Sequence, residues 1–348
     1  MQYRLLWLAL IVALIGSSNP APFVPATVSA ADAVMHAPQG LELGQVVDDS
    51  GRIRLTDEVA ARMVEAGASW IHVNFRLGAF RNWSETDTFG FSAISAYDQV
   101  VTTAERHGLA VVALLSNEAW QGGIAQWQAG SAEVDNGTGE NPYLGAFVEQ
   151  AALPLMQHFA GRIDRWEVWN EPNAEITYLH PSNFAWLLAR VDTAIRAAGL
   201  TGIQIISGGV SSVQNANDVV TPASVGADYL RATYAQGKAV GGWEAIRATS
   251  GSYPIDIIGQ HIYVDGYRRT TRATVEEALR LVHEAHLDGE GSGGSLKPTL
   301  VTEMGWASGN VSEAVQADNL QIAYAAIMNT PFVESASWFF MRDEPVAN

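Results

Sequence analysis

The amino-acid sequence predicts a single-domain (β/α)8 barrel. Eight short strand-like runs alternate along the chain with seven segments of helical period. Such alternation favours parallel strand pairing, because each crossover helix returns the chain to the same end of the sheet. A length of 348 residues with 48% hydrophobic content is enough for one large barrel and its core. The main alternative is a doubly wound open sheet, but its usual glycine fingerprint does not follow the first predicted strand.

The predicted strands are runs of aliphatic, β-branched and aromatic residues bounded by polar or turn-forming residues. The helical segments begin near residues that cap helices, such as Thr56, Ser182 and Ser312. The strands are predicted near residues 41–47, 69–76, 109–116, 164–170, 203–209, 255–262, 299–303 and 334–340. The helices are predicted near residues 56–67, 92–107, 144–160, 182–198, 226–237, 273–287 and 312–328.

The end of the barrel is expected to be irregular. Only eight residues follow Phe340, the last residue of the eighth predicted strand, and an eighth helix does not fit in them. We therefore expect this helix to be missing or shortened. In one interpretation residues 31–45 cover the gap, and in the other the barrel itself is shortened.

Residues 1–30 have the pattern of a secretory signal peptide. Arg4 precedes an apolar run over residues 5–16, and the small-residue stretch that follows ends at Ala30. The apolar run is too short to span a bilayer comfortably. We expect cleavage near Ala30, which leaves one secreted domain over residues 31–348 without a transmembrane segment. An uncleaved N-terminal membrane anchor is the alternative.

Composition limits the partners and the chemistry. The formal charge of −17 repels nucleic acid and anionic lipid and favours neutral ligands. The sequence contains no cysteine, which excludes disulfides and thiolate chemistry. His283 and His286 lack the spacing of a zinc-binding His-Glu-x-x-His motif, and the glycine-rich run 288–295 lacks the lysine of a phosphate loop. We expect a monomer that needs no cofactor and no metal.

The stretch WEVWNEPN (166–173) places a carboxylate at the end of a predicted strand. Trp166, Val168 and Trp169 suit a strand, and Pro172 prevents the strand from continuing. Glu171 is therefore held at the C-terminal end of the strand, on the rigid part of the fold. In a barrel of this class, functional residues collect at that end.

The other predicted strand ends bring more reactive side chains to the same rim. Two carboxyl groups facing each other across a pocket are what cleavage of a glycosidic bond requires, one protonated and the other ionised. Aromatic side chains offer flat faces for sugar rings. The candidate site residues are Arg76, Asn117, Asn170, Glu171, His261, Tyr263, Glu303, Trp306 and Trp338.

Two further glutamates near the rim have structural interpretations. Glu167 shares strand parity with Glu171, so it is expected to point into the barrel, where His72 or Arg76 would pair with it. Glu118 follows the third predicted strand in a loop, which is more typical of a solvated carboxylate than of a catalyst.

WEVWNEPN followed much later by VTEMGW (301–306) resembles the retaining glycoside hydrolases of clan A. The resemblance covers residues from about 40 to 342 and is closest in motif to family 39 and to the cellulase-like enzymes of family 5. That clan has a (β/α)8 barrel with an acid/base glutamate after strand 4 and a nucleophilic glutamate after strand 7. Glu171 and Glu303 end the fourth and seventh predicted strands, so the resemblance implies these roles for them.

The resemblance also implies roles for the surrounding residues. Asn170 would bind the 2-hydroxyl of the sugar undergoing cleavage, and His261 would line the same subsite. Arg76 and Tyr263 would orient Glu303, and Arg76 would hold the pKa of Glu303 below that of Glu171. Trp338 would be the platform for the sugar, with Asn117 and Trp306 as further substrate contacts.

The sequence therefore predicts a secreted retaining β-glycoside hydrolase that cleaves a neutral polysaccharide or oligosaccharide by double displacement. A carbohydrate-binding barrel without catalysis is one alternative, and a transglycosylase using the same residues is another. The long segment 117–142, rich in Trp, Gly and Asn, walls an open groove or caps a closed pocket. Its sequence leaves endo and exo action both open.

Overall fold

The computed structural model describes residues 39–48, 52–78, 80, 82–84, 92–120, 142–213, 224–292 and 294–341. The strands, in chain order, are β1 (Gly40–Glu42), β2 (Trp70–Asn74), β3 (Ala110–Leu115), β4 (Arg165–Val168), β5 (Gln204–Ser207), β6 (Val210–Val213), β7 (Ile258–Tyr263), β8 (Thr299–Met304) and β9 (Val333–Trp338). They form one parallel sheet in the order β5-β4-β3-β2-β1-β9-β8-β7-β6. The predicted (β/α)8 barrel is confirmed. The predicted signal peptide and most of segment 117–142 lie outside the described residues.

Two short strands, β5 and β6, together occupy the place of one strand of the eight-stranded barrel. β5 and β6 are separated only by Gly208 and Gly209, and a Cβ atom at Gly208 would lie 2.6 Å from the carbonyl oxygen of Trp169. β5 pairs with β4, and β6 pairs with β7. A hydrogen bond from Ser207 N–H to Ile257 O (3.0 Å) links the lower half of this strand to the next one, so the barrel closes here.

The other closure joins the first and last strands. β1 pairs with β9 through Gly40 and Ser337, and a Cβ atom at Gly40 would overlap the indole of Trp70. β1 is shorter than predicted, because Gly44 turns the chain with a φ of +83°. Residues 39–42 therefore belong to the barrel wall itself, and the described chain ends at Met341, whose N–H donates to Glu42 O.

The helices follow the predicted order with boundaries shifted by a few residues. Thr56 and Ser312 cap their helices as predicted, while the helix expected from Ser182 begins at Pro181 with His180 as its cap. The helices are α1 (Asp57–Glu65), α2 (Ala93–Arg106), α3 (Pro142–Phe147), α4 (Leu153–His158), α5 (Pro181–Ala197), α6 (Ser224–Ala239), α7 (Trp243–Ser250), α8 (Arg272–Glu290) and α9 (Glu313–Met328). A π-helical turn, Val148–Ala152, joins α3 to α4, which the sequence predicted as one helix. α7 was not predicted, since eight residues between two glycines give too little periodicity.

The core has two parts. Between strands and helices, aliphatic and aromatic side chains form a continuous apolar layer around the barrel. Inside the barrel, near the N-terminal ends of the strands, a smaller apolar cluster fills the bottom: Trp70, Val112, Ile206, Ile257 and Leu300. The interior above that cluster is polar. No helix among the described residues has the length and apolar character needed to cross a bilayer.

Candidate active site

A cavity of about 640 Å³ opens at the C-terminal ends of the strands. This is the end where the sequence predicted the functional residues. Five of the nine predicted site residues line it: Arg76, Asn170, Glu171, Tyr263 and Glu303. The other lining residues are Glu42, Gly44, Gln45, Asn74, Leu114, Glu118, Phe339 and Phe340.

The turn after β4 holds Glu171 in a strained backbone conformation. Trp169 has a φ of +76° and Glu171 a φ of +41°, in the left-handed region that residues other than glycine rarely adopt. Such residues cost about 1–3 kcal/mol each and persist only where their surroundings fix them. Here Trp169 Nε1–H donates to Thr177 O (2.7 Å), and Thr177 Oγ1–H donates to Glu171 O (2.8 Å). The turn therefore presents Glu171 in one fixed direction.

Glu303 approaches the same cavity from β8. Its side chain is buried, and Tyr263 Oη–H donates to Glu303 Oε2 at 2.7 Å. Burial raises the pKa of Tyr263 well above its ordinary value, so the phenol keeps its proton as a donor. The predicted contact between Tyr263 and Glu303 is thus present in the structure.

His261 lies between the two glutamates. Its Nδ1 is 3.0 Å from Glu171 Oε1 and 3.4 Å from Glu303 Oε2. One carboxylate oxygen of each glutamate and a ring nitrogen of His261 all lie within 4.8 Å of one another. Burial lowers the pKa of His261, but the charges of Glu303, Glu167 and Glu171 outweigh it and raise that pKa well above its ordinary value. His261 is therefore an imidazolium shared by the two carboxyls.

The two glutamates differ in proton affinity, in the order opposite to the expected one. Burial raises the pKa of Glu303 to about 7. Burial also raises the pKa of Glu171, but the hydrogen bond and charge of His261 outweigh it, and the result lies below the ordinary value. The sequence-based expectation that the pKa of Glu303 lies below that of Glu171 is wrong here. Burial also raises the pKa of Glu42, whose oxygen lies within 4.8 Å of an oxygen of Glu303, so the proton affinity of Glu303 depends on Glu42 as well as on Glu171.

Arg76 lies in the cavity wall beside a carboxylate that the sequence had assigned to solvent. Its Nη2 is 2.7 Å from Glu118 Oε1, and Asn74 Nδ2–H donates to Glu118 Oε2 at 2.8 Å. Glu118 is thus part of the cavity lining, fixed by two neighbours. The predicted contact between Arg76 and Glu303 stays a prediction.

Asn170 lines the cavity. Its Oδ1 is buried and has no hydrogen-bond partner among the described residues, whereas buried polar atoms almost always have one. The predicted contact to a sugar hydroxyl stays a prediction.

Three residues that were predicted to contact the substrate, Trp338, Trp306 and Asn117, are not among the residues that line the cavity. Trp338 is on the outward face of β9 and packs on Trp306, with ring centroids 6.1 Å apart. Trp306 is buried in the layer behind the barrel and donates its Nε1–H to Val264 O. Asn117 begins a short 3-10 helix, Asn117–Ala119, and is not among the residues that line the cavity. The ring presented at the end of β9 is that of Phe339.

Sequence reasoning did not find Glu42, Asn74 or Phe339. Strand parity was the available signal for Phe339, since Ser335 and Ser337 face the barrel interior and the next residue of that parity is Phe339. Glu42 lies on β1 within the predicted strand 41–47, where a charged residue among apolar ones marks an inward position. Asn74 gave no signal in a five-residue strand that is otherwise typical.

Two groups of side chains place three ligand-type atoms within 4.8 Å of one another: Glu42, His72 and Glu303, and Glu171, His261 and Glu303. An imidazole must be neutral to bind a metal ion. The carboxylates around both histidines keep them protonated, with the pKa of His72 raised to about 10. The distances within both groups also fit carboxylate–imidazolium ion pairs, which is how we interpret them.

No protein-family model and no curated protein matches the sequence. Solved structures do match it. A family 39 glycoside hydrolase from the gut symbiont Bacteroides cellulosilyticus WH2 is 17% identical with a TM-score of 0.53, over 92% of this chain and 60% of that one. A GH5-4 broad-specificity endoglucanase from Clostridium longisporum is 12% identical with a TM-score of 0.59, over 90% of this chain and 88% of the other.

An endoglucanase from the hyperthermophilic Thermotoga maritima is 13% identical with a TM-score of 0.56, over 91% of this chain and 93% of the other. This chain spans 60% of the length of the family 39 enzyme. At these low sequence identities the structural similarity establishes the fold. The solved structures include the two families that the WEVWNEPN and VTEMGW motifs resemble.

Proposed function

We propose that the protein is a retaining β-glycoside hydrolase, with Glu303 as the nucleophile and Glu171 as the general acid/base. The observation that carries this proposal is the approach of the two carboxyls across one cavity, with oxygen atoms within 4.8 Å of each other. Retaining enzymes hold their two carboxyls about 5–5.5 Å apart, and inverting enzymes about 6.5–9.5 Å apart to admit a water molecule. The separation in this protein supports direct attack by a carboxylate.

In the first step Glu303 attacks the anomeric carbon while Glu171 gives its proton to the leaving oxygen. The C–O bond to the leaving group breaks and a glycosyl ester on Glu303 forms. In the second step Glu171 removes a proton from water, which attacks the same carbon and releases Glu303. For this mechanism a proton must lie on Glu171 at the start. His261 contacts both carboxyls, so it is placed to pass the proton from Glu303 to Glu171.

The cavity supports a neutral sugar as substrate. Its carboxylates outnumber its cationic side chains, and a uronic or sulfated sugar would be repelled. Asn170 Oδ1 offers an acceptor to a hydroxyl group. Phe339, whose ring meets Tyr263 edge-on at 6.0 Å, supplies the apolar face. Secretion of the mature chain through the predicted signal peptide would bring the enzyme to extracellular polysaccharide.

A panel of aryl β-glycosides and neutral polysaccharides tests the proposal. We expect the protein to hydrolyse at least one of them, with the first-formed product in the β configuration by NMR. Glu303→Gln, which keeps the shape of the side chain, is the matched control and should be inactive. An α-configured first product would indicate inversion, and hydrolysis that survives Glu303→Gln would place the site elsewhere. Binding without hydrolysis would favour the carbohydrate-binding alternative, and new glycosides formed from added sugar acceptors would favour the transglycosylase.

A further inference from the structure

Behind the candidate active site, the polar interior of the barrel contains a chain of alternating carboxyl and imidazole groups. Glu42 Oε2 is 3.4 Å from His72 Nδ1, and His72 Nε2 is 2.8 Å from Glu167 Oε2. Glu167 Oε1 is in turn 3.7 Å from Nε2 of His261, an ion-pair distance that is longer than a hydrogen bond. His261 Nδ1 then reaches the two glutamates of the cavity.

Glu167 is the central member of this chain and has no access to the cavity. Its side chain is fully buried, and it is absent from the cavity lining. Thr302 Oγ1–H donates to its Oε1 at 3.0 Å, so each oxygen has a close partner. The predicted pairing of Glu167 with His72 is confirmed, but the structure adds His261 as a second cationic neighbour.

Two glycines, Gly209 and Gly259, lie directly against Glu167 and His261. A Cβ atom at Gly209 would overlap the His261 ring and lie 2.9 Å from Glu167 Oε1. A Cβ atom at Gly259 would lie 3.0 Å from the same oxygen. Glycine at position 209 leaves room for the His261 ring beside Glu167, whereas a Cβ atom at Gly259 would also overlap the carbonyl oxygen of Ser207.

A buried carboxylate with two imidazolium neighbours is stable only as a group. Burial raises the pKa of Glu167, but the nearby imidazoles of His261 and His72, the latter also hydrogen-bonded to it, outweigh burial and lower that pKa to about 2. The charge of Glu167 in turn raises the proton affinity of His261. Without it, His261 would be a buried cation facing the catalytic pair alone.

We propose that Glu167 is a positioning residue of the catalytic centre: from inside the barrel it holds His261 as an imidazolium between Glu171 and Glu303, and so fixes the proton count of that pair. This inference rests on the proposed function only for its kinetic readout. Glu167 touches neither the cavity nor a substrate, and it acts through His261.

The direction of the expected pKa shifts is fixed, because removing one charge shifts the pKa of every nearby ionisable group in the same direction. Loss of the negative charge of Glu167 lowers the proton affinity of the group, and loss of the positive charge of His72 raises it. Ionisable groups face this region from several strands and from the loops that follow them. On the strands are Glu42 (β1), His72 (β2), Glu167 (β4), His261 and Tyr263 (β7) and Glu303 (β8). In the loops after β2, β3 and β4 are Arg76, Glu118 and Glu171, respectively.

The test compares Glu167→Gln with His72→Gln. For Glu167→Gln we expect the basic limb of the pH profile of kcat/KM to move to lower pH by about one unit or more. For His72→Gln we expect it to move to higher pH. Thr302→Val is the control: it removes a hydrogen bond of Glu167 but no charge, so both limbs should stay where they are in the parent protein. Limbs that do not move, or that move in the same direction in both variants, would overturn the proposal.

An NMR titration separates this proposal from the proposed function. In protein labelled with 15N-histidine, the His261 imidazole, assigned by its loss in His261→Gln, should titrate at lower pH in Glu167→Gln than in the parent. The same titration in both proteins overturns the proposal, whatever the enzyme cleaves. If the parent hydrolyses no glycoside, the proposed function fails while this titration still decides the role of Glu167. If Glu167→Gln does not fold, an unmoved basic limb in His72→Gln overturns the proposal.

Discussion

The barrel has a cluster of buried ionisable groups at each end, and the two clusters are built differently. The upper cluster, at the C-terminal ends of the strands, consists of Glu42, His72, Glu167, Glu171, His261 and Glu303. The lower cluster, at the N-terminal ends, consists of Tyr234, His286, Glu290 and Lys297. The upper cluster has four carboxyls against two imidazoles and opens into a cavity. The lower one has one carboxylate against one ammonium.

Hydrogen bonding separates the clusters further. In the lower cluster Tyr234 Oη–H donates to Glu290, His286 Nε2 accepts the N–H of Lys297, and the Lys297 ammonium donates to Ser252 Oγ and to Ile255 O. In the upper cluster burial raises the pKa of two carboxyls, Glu42 and Glu303, and the cluster opens into the cavity. A buried ion pair with complete hydrogen bonding is typical of a structural cluster, whereas ionisable groups with shifted pKa values beside a cavity are available for chemistry. Substitutions in the two clusters should therefore affect different measurements.

The largest effect is expected for the two carboxyls at the open end of the upper cluster. Glu303→Ala removes the proposed nucleophile, so hydrolysis of every substrate should collapse. Glu171→Ala removes the proton donor, which should cost about 10²–10⁴-fold on substrates with poor leaving groups. An aryl glycoside with a good leaving group should still react with Glu171→Ala in its first step and give a burst of the phenol.

Azide distinguishes the two roles, because it replaces a different group in each variant. With Glu171→Ala, azide should attack the glycosyl-enzyme and give a β-configured glycosyl azide. With Glu303→Ala, azide should attack the substrate from the opposite face and give the α anomer. NMR of the product decides the assignment, and the reverse pattern would mean that the acid/base and the nucleophile are exchanged.

A change in the lower cluster should affect stability and leave the chemistry alone. Lys297→Met removes one partner of a buried ion pair and leaves Glu290 without its cation, which should lower the free energy of unfolding by about 3–5 kcal/mol. Denaturant unfolding measures this loss. Where the variant remains folded, its pH profile of kcat/KM should match that of the parent. A shifted profile would show that the two ends of the barrel are coupled and would weaken the comparison.

A smaller effect is expected from the ring at the end of β9. Phe339→Ala removes an aromatic face from the cavity, which should cost about 1–3 kcal/mol of transition-state affinity, measured as the ratio of kcat/KM values. Trp338→Ala is the matched control, because Trp338 packs outward on Trp306. It should lower stability more than activity. A larger loss of kcat/KM for Trp338→Ala than for Phe339→Ala would restore the sequence-based prediction of Trp338 as the sugar platform.

The last effect concerns stability against pH. Burial lowers the pKa of His72, but Glu167 and Glu42 outweigh it and raise it from 6.5 to about 10. The protonated form is therefore favoured by folding, so this contribution is complete below pH 6.5 and is lost as the pH rises through about 10. The free energy of unfolding should fall over that range, and less steeply in His72→Gln. Equal slopes in the two proteins would show that His72 is not charged in the fold.

The order of strands and helices followed from hydrophobic periodicity, and the Asn-Glu-Pro motif with the second glutamate singled out Glu171 and Glu303, which line one cavity. Strand parity also predicted that Glu167 points into the barrel with His72 or Arg76 as its partner, and in the structure the partner is His72. The sequence was least informative where a single residue or a single contact decides the result. Phe339 and Trp338 are adjacent in the sequence. Because the register between β8 and β9 is irregular, strand alternation alone does not show which of them faces inward. The partner of Arg76 depends on how β2 and β3 meet, and the proton affinities of Glu171 and Glu303 depend on burial, which no local pattern encodes.

The left-handed backbone of Glu171 has a consequence for variants of this protein. Glycine adopts a φ of +41° without strain, whereas a side chain at this angle costs free energy. In most of the chain a change to glycine weakens the fold, but at Glu171 the same change would relieve backbone strain while removing the proposed proton donor and the carboxyl beside His261. The strained backbone and the contact with His261 therefore act on stability in opposite directions at this one position.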